Sequence, residues 1–214
     1  MRLRNVRGAR EEIIENDRAI KNYADYKGHW NEAFGNNNPL YIEIGMGKGA
    51  FIIEMATRYP DRNFVGIEKY SSVLVRALEK LKEGELPNLL LIRMDAEFIE
   101  DAFSEDEVSG IYLNFSDPWP KDRHAGRRLT SDRFLERYTH ILKNDGEIVF
   151  KTDNRDLFDF SIETAKNCEW SILNVTYDLH HSEYFEGNVM TEYEKKFSEM
   201  GNPICRMVIK QPEK

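Results

Sequence analysis

The feature that most constrains the fold is a glycine-rich segment, Leu40–Phe51, in which an apolar run meets three closely spaced glycines. Apolar residues then resume at helical spacing with Ile52, Met55 and Ala56. This change of pattern predicts a strand, a tight loop and a helix. In doubly wound α/β folds such a unit forms the entrance to a nucleotide site, because the loop backbone and the helix N-terminus lie close to the ligand.

The residue before the loop indicates which nucleotide binds. Gly45, Gly47 and Ala50 also satisfy the loosest form of the dinucleotide fingerprint G-x-G-x-x-G/A, so the glycines alone decide nothing. Glu43 would repel a pyrophosphate at the helix N-terminus but attract a cation. S-adenosylmethionine carries an ammonium and a sulfonium and no phosphate, so Glu43 favours it over NAD. The alternative is that Glu43 is a solvated residue at a strand end.

Six further segments read as strands, and amphipathic helical stripes separate most of them. They are Phe64–Glu68, Leu89–Arg93, Ile111–Ser116, Glu147–Lys151, Trp170–Tyr177 and Ile204–Lys210. Strands that alternate with helices predict a parallel sheet with one hydrophobic core. The last two segments are expected to pair as a closing edge.

Acidic residues end or follow several of these strands. Because ligands bind at the carboxyl edge of open α/β sheets, Glu68 is placed to hold ribose hydroxyls and Asp95 to reach the adenine end. Asp95 is equally well explained as the cap of a helix over residues 96–103. Asp153 follows the fifth strand, where capping of the next helix by residue 152, 153 or 154 is the competing explanation.

The most unusual peptide is Asp117-Pro118-Trp119-Pro120-Lys121, which follows the fourth strand. Two prolines fix φ and would present Asp117 and Trp119 with little conformational freedom. A carboxylate beside a rigid indole can read a base edge and stack on its face. A turn around a buried tryptophan is the alternative, but it explains neither the acid nor the basic residues that follow at 121–133.

Composition limits the remaining possibilities. At 214 residues with a net charge of −8, the chain suits one α/β domain that does not coat nucleic acid indiscriminately, although a local basic patch can still bind phosphate. No apolar run approaches the ~20 residues of a membrane span, and no secretory signal is present, so we expect a cytoplasmic protein without membrane contact. Cys168 and Cys205 have no metal-ligand spacing and predict reduced thiols and no metal site.

With these motifs in place, the chain resembles the bacterial tRNA (guanine-N7)-methyltransferases over nearly its whole length. The most specific match is NFSDPWPKDRHAGRR at Asn114–Arg128, supported by FKTDNR at Phe150–Arg155 and MTEYEKKF at Met190–Phe197. The resemblance implies a Rossmann-like class I methyltransferase with a seven-stranded, mostly parallel sheet and helices on both faces. Residues 1–38 hold a basic arm, a helix-like segment and a turn-rich stretch, so we expect them to pack on the core as an appendage to a methyltransferase domain at 39–214.

The resemblance also implies the site. S-adenosylmethionine, converted to S-adenosylhomocysteine, would methylate N7 of the variable-loop guanosine (tRNA position 46) in a monomeric or homodimeric enzyme. The implied cofactor contacts are Glu43, Gly45, Gly47, Gly49, Glu68, Asp95 and Asp117, of which Asp117 is also catalytic. The implied guanosine pocket consists of Lys121, Asp153, Thr191, Glu192, Tyr193 and Glu194. The implied RNA-contacting loop consists of Arg123, His124, Ala125, Gly126, Arg127 and Arg128.

The sequence is compatible with three other functions. A methyltransferase of an exocyclic amino group or of another RNA base shares the Asp-Pro turn, although Trp119 replaces the second proline of the D-P-P-Y pattern. An NAD-dependent oxidoreductase would need a pyrophosphate site that Glu43 disfavours. An RNA-binding module without activity is the third.

The segment Thr191-Glu192-Tyr193-Glu194 also fits a helix capping box, which by itself is a structural pattern.

Overall fold

The computed structural model describes residues 6–81 and 86–213. The chain divides into two compact units, and the boundary between them in the sequence lies between Ser104 and Glu105. Arg2 and Arg4 of the basic arm lie outside the described residues. Within the described ranges, no helix has the length and apolar character needed to cross a membrane.

The first unit contains four parallel strands in the order β1-β4-β3-β2. All six residues of β3 are buried, so this strand is covered on both faces, as parallel sheets require. The strands are β1 (Ala19–Ile20), β2 (Leu40–Ile44), β3 (Asn63–Glu68) and β4 (Leu89–Arg93). The helices are α1 (Ala9–Glu15), α2 (Trp30–Phe34), α3 (Ala50–Arg58), α4 (Ser71–Leu81) and α5 (Ile99–Ala102).

The segment before the glycine loop is integrated into this unit. Ala19 and Ile20 pair with Leu91 and Ile92 of β4. The indole of Trp30 is 2% exposed, stacks on Phe103 with centroids 5.3 Å apart, and donates a hydrogen bond to the Ala102 carbonyl at 2.8 Å. A strand pairing and a buried aromatic anchor therefore hold this segment.

The second unit contains a parallel pair, β5 and β6, extended by two antiparallel strands in the order β5-β6-β8-β7. Its strands are β5 (Val108–Asn114), β6 (Leu142–Thr152), β7 (Ser171–Thr176) and β8 (Cys205–Lys210). Its helices are α6 (Asp132–Ile141), α7 (Arg155–Asn167) and α8 (Glu192–Glu199).

The predicted α/β class with a mostly parallel sheet is confirmed. The number of strands was wrong: the described residues contain eight rather than seven. The additional strand is β1, which has two residues and is therefore too short to show the alternation that reveals a strand in a sequence.

Candidate active site

The glycine loop follows β2 and is bound to the end of the neighbouring strand. The N–H groups of Gly45 and Met46 both donate to the Ile67 carbonyl, at 2.9 and 3.0 Å. Gly45, Gly47 and Gly49 have φ values of +78°, +58° and +76°. The predicted strand, tight loop and helix are therefore present, and the loop owes its shape to backbone angles that favour glycine.

Two glutamates lie beside this loop. Glu43 is 2% exposed in β2, so it is not the solvated strand-end residue that the alternative interpretation required. Glu68 ends β3 and is 7% exposed. Its two carboxylate oxygens accept hydrogen bonds from the N–H groups of Gly47, at 3.2 Å, and Tyr70, at 2.9 Å. A carboxylate has about four acceptor sites, so it can accept several hydrogen bonds at once.

Asp95 follows β4, and both of its carboxylate oxygens are bound within the protein. Its Oδ1 accepts a hydrogen bond from the Glu97 N–H at 3.3 Å, which is the capping role that the sequence allowed. Its Oδ2 pairs with the Lys69 ammonium, and this hydrogen bond raises the pKa of Lys69. The side chain remains 33% exposed. Asp95 is thus a cap and an ion-pair partner in this structure.

The order of the strands brings the three acids to one edge. β2, β3 and β4 are consecutive and parallel, with Glu43 opposite Gly66 and Glu68 opposite Arg93. Adjacent strands are about 4.8 Å apart. Glu43, Glu68 and Asp95 therefore lie along the carboxyl edge of the first unit, next to the glycine loop.

In the second unit the peptide after β5 forms a fastened turn. The Phe115 N–H donates to the Lys151 carbonyl at 2.8 Å. Phe115 and Trp119 have φ values of +51° and +42°, which are unusual for bulky residues and mark local strain. Arg128 donates to the carbonyls of Pro118 and Trp119, both at 3.1 Å. The exposed Asp117 is therefore presented by a turn held at both ends.

The implied RNA-contacting loop forms a 3-10 helix, Asp122–Arg127. The Arg127 guanidinium lies 5.0 Å from the centre of the Trp119 ring, and His124 meets the same ring edge-on. Part of the indole surface that a base would use is therefore already covered. Lys121, Arg123 and Arg127 are exposed, whereas the Arg128 guanidinium fastens the turn and lies over Phe160.

Asp153 lies just beyond β6. The cap of α7 is Asn154, whose side chain accepts from the Leu157 N–H at 2.8 Å, so the capping explanation does not apply to Asp153. Burial and, secondly, the Asp153 charge raise the pKa of the Tyr193 phenol. The carboxylate of Asp153 and the Tyr193 ring therefore belong to one electrostatic environment.

The segment Thr191–Glu194 begins α8. Thr191 caps the helix by accepting from the Glu194 N–H at 2.8 Å. Tyr193 is 45% exposed, and its ring stacks on Phe197 at 4.1 Å and contacts Phe115 at 5.0 Å. Glu192 is exposed. Glu194 is 0% exposed and its carboxylate is bound to Lys151, so a direct contact with guanosine would require this pair to open.

Sequence reasoning missed several residues that shape the second unit. Phe115 and Phe197 complete the ring cluster around Tyr193, and Lys151, His180 and Asn188 bind the Glu194 carboxylate. One signal was available: a lysine at the end of the apolar run Glu147–Lys151 is unusual within a buried strand. Nothing in the sequence around His180 indicated its partner.

Comparisons with known proteins agree on the type of protein. A family model described as a putative methyltransferase matches residues 37–207. A protein of Lachnoclostridium phytofermentans named tRNA (guanine-N(7)-)-methyltransferase is 61% identical over 208 residues, which is 97% of each chain. The Bacillus subtilis protein of the same name is 50% identical over 207 residues, covering 96% of this chain and 97% of that one.

Solved structures agree on the fold. The 16S rRNA methyltransferase KamB superposes with a TM-score of 0.65 at 13% identity, covering 86% of this chain and 94% of that one. A protein titled an antibiotic related methyltransferase gives a TM-score of 0.63 at 17% identity, covering 89% and 94%. At these identities the likeness establishes the α/β methyltransferase architecture alone.

Proposed function

The chain belongs to the tRNA (guanine-N7)-methyltransferase family, and we propose that it transfers the methyl group of S-adenosylmethionine to N7 of the variable-loop guanosine of tRNA, giving 7-methylguanosine. The observation that carries this proposal is the row of carboxylates, Glu43, Glu68 and Asp95, beside the glycine loop. Such an edge suits a ligand with positive groups and hydroxyls.

The residues present fit S-adenosylmethionine better than a dinucleotide. The Gly47 N–H, which could bind a pyrophosphate, instead donates to the Glu68 carboxylate. A carboxylate at this position repels phosphate and can accept hydrogen bonds from ribose hydroxyls. We assign Glu68 to the ribose, Asp95 to the adenine end, Glu43 to the cationic end, and the backbone of Gly45, Gly47 and Gly49 to the loop that encloses the ligand. This donor set disfavours NAD.

When bound, S-adenosylmethionine supplies a methyl group on a sulfonium, which is a good leaving group. Guanine N7 has an in-plane lone pair and no proton, so the protein needs no strong base. Its contribution is to hold the acceptor in line with the methyl group, an effect that can reach roughly 7 to 11 kcal/mol.

The acidic residues of the second unit have a second task. The purine ring gains positive charge during transfer, and Asp117 and Asp153 would stabilise that charge. They would also accept hydrogen bonds from the amino and imino edge of guanine, which selects guanine over adenine. We assign Asp117 the catalytic and cofactor-contacting role, Lys121, Asp153, Thr191, Glu192 and Tyr193 the guanosine pocket, and residues 123–128 the contact with tRNA. Glu194 belongs to the same segment, Thr191–Glu194, but its carboxylate is bound to Lys151.

A chemical cleavage assay tests this proposal. The protein is incubated with S-adenosylmethionine and an unmodified tRNA transcript, and the RNA is then treated with borohydride and aniline, which cleave at N7-methylated guanosine. We expect a single break at the variable-loop guanosine and none in a transcript with adenosine there. Methyl incorporation without scission would assign a different acceptor atom.

The Asp117→Asn variant tests the assignment of the catalytic residue. It keeps the size of the side chain and removes the charge from an exposed position, so the fold should be retained. We expect methyl transfer to fall by about 100-fold or more, as when a group stabilising transition-state charge is removed. Near-normal turnover by Asp117→Asn would contradict its role. The same proposal includes a cytoplasmic location and a monomeric or homodimeric state. It also includes the division of the chain into residues 1–38 and 39–214.

A further inference from the structure

An ion pair, rather than an apolar stripe, anchors the helix that carries the implied guanosine-binding segment. Of the residues of α8, only Glu194 is buried, and it is 0% exposed. Its Oε2 lies 2.6 Å from the Nζ of Lys151, which is 2% exposed in β6. Lys and Glu are almost never fully buried unless paired, so this contact determines how α8 docks.

The hydrogen-bond donors and acceptors around this ion pair are matched. The Lys151 ammonium has three N–H groups and donates to Glu194 Oε2, to the Val189 carbonyl at 2.8 Å and to Asn188 Oδ1 at 3.1 Å. Glu194 Oε1 accepts from Asn188 Nδ2 at 2.7 Å and lies 3.1 Å from His180 Nε2. The Asn188 amide thus bridges both members. Directional bonds of this kind define one position for α8.

The same lysine reaches the other part of the acceptor region. Its backbone carbonyl accepts from the Phe115 N–H, where the Asp117 turn begins, and the Phe115 ring contacts Tyr193 at 5.0 Å. Asp153 follows Lys151 by two residues. Lys151 therefore connects the turn that presents Asp117 with the helix that presents Tyr193.

Stability alone does not account for such a pair. Buried ion pairs incur a desolvation penalty, and apolar residues of similar volume often replace them without loss of stability. What apolar residues do not reproduce is the directional geometry of the network. The network is also closed around Glu194, whose carboxylate has no exposed surface to offer a nucleoside.

We propose that Lys151 and Glu194, together with His180 and Asn188, are positioning residues for the acceptor guanosine, and that Glu194 acts through Lys151 instead of touching the base. This inference rests on the proposed function and concerns its acceptor side. It predicts that the network affects the use of tRNA and leaves the binding of S-adenosylmethionine unchanged.

A double-mutant cycle tests the inference. The variants are Lys151→Met, Glu194→Leu and the two combined, and the readouts are thermal unfolding, S-adenosylmethionine affinity by calorimetry, and kcat and KM for tRNA. For the combined variant we expect a folded protein, donor affinity within about twofold, and a fall in kcat/KM for tRNA of about 100-fold, since small misplacements near reacting groups have that effect. The combined variant should be no worse than either single variant, because paired residues are not additive.

Two further variants keep the test decisive. Glu194→Gln retains the shape of the side chain and an acceptor for Lys151. It replaces Glu194→Leu if that variant fails to fold, and its activity should lie between those of the parent and the combined variant. Lys195→Met combined with Glu199→Leu makes the same changes at exposed positions of α8 and should behave as the parent.

Three results would overturn the inference: additive losses, which mean that Glu194 acts on the base independently of Lys151; weakened donor binding; or full activity of the combined variant. If the parent protein itself yields no borohydride–aniline scission, the proposed function fails and the inference falls with it. Scission by the parent and unchanged kcat/KM in the combined variant would reject the inference alone.

Discussion

Gly49 shows how a single residue constrains the glycine loop. Its φ of +76° lies in the left-handed region, and a Cβ at this position would lie 2.8 Å from the Cβ of Ala77 in α4. Gly45 has a nearly equal φ of +78° but open space around it. The two glycines therefore separate the effect of backbone conformation from the effect of close packing.

We expect Gly45→Ala to lower the free energy of unfolding by about 1–2 kcal/mol, the cost of left-handed backbone in a non-glycine residue. Gly49→Ala should lose about 1–3 kcal/mol more, because the overlap with Ala77 adds to it. Urea denaturation measures both. The added loss should shrink when Ala77→Gly is combined with Gly49→Ala; equal losses in the two single variants would show that packing at Gly49 is unimportant.

The effect of the Asp153 charge on the pKa of Tyr193 gives a second prediction. Burial and the Asp153 charge both raise the pKa of the Tyr193 phenol, because each disfavours the phenolate. Removing the charge in Asp153→Asn should therefore lower the midpoint of the Tyr193 titration, which remains above the ordinary value because burial persists. The measurement is the absorbance difference at alkaline pH between each protein and its Tyr193→Phe partner. Asp156→Asn, at an exposed position in α7, is the control and should leave the midpoint in place.

At the scale of elements, the turn between β5 and α6 depends on Arg128. Its guanidinium spans the carbonyls of Pro118 and Trp119, next to a backbone that is strained at Trp119. The resemblance placed Arg128 in the RNA-contacting loop, whereas in this structure two of its nitrogens donate to the turn. A lysine would keep the charge but lose the planar fork that serves two acceptors.

We therefore expect Arg128→Lys to lower kcat by about 10- to 100-fold by loosening the placement of Asp117. The salt dependence of tRNA use should not change, because the net charge is the same. Arg155→Lys, an exposed arginine of α7, is the matched control. An unchanged kcat in Arg128→Lys would show that the two hydrogen bonds of the guanidinium do not place Asp117.

Helix α8 illustrates how a sequence pattern can be half right. The pattern T-x-x-E predicts a reciprocal capping box, and Thr191 does cap the helix. Glu194 does not return to the Thr191 backbone; its carboxylate turns inward to Lys151. The local pattern identified the start of the helix, whereas a residue 43 positions earlier decided what the acid does.

At the scale of the whole molecule, the local distribution of positive charge matters more for RNA binding than the net charge. The net charge of −8 opposes RNA binding in general, so we expect contact with tRNA to depend on clustered cations such as the exposed Lys121, Arg123 and Arg127. Each phosphate contact releases counterions and steepens the dependence of affinity on salt.

Arg123→Ala combined with Arg127→Ala should weaken tRNA use and flatten the slope of log kcat/KM against log salt by about 1.4 to 1.8, the value for two lost phosphate contacts. The slope is measured from initial rates at several salt concentrations. Lys166→Ala, at the exposed end of α7, removes one charge outside the loop and should leave it unchanged. An unaltered slope in the double variant would remove the loop from the RNA interface.

The sequence by itself determined the α/β class, the strand–loop–helix at Leu40–Phe51 and the acids at or just beyond the carboxyl ends of β2, β3 and β4. These features depend on side-chain periodicity and on glycine and proline, which act over a few residues, and on the rule that parallel strands share one carboxyl edge. Only the tertiary structure decided that β1 adds an eighth strand, that Arg128 holds a turn and that Lys151 binds Glu194. Each of these is a contact between segments that come close together only when the chain folds. A buried donor or charge must be paired, and the tertiary packing determines which partner is within reach.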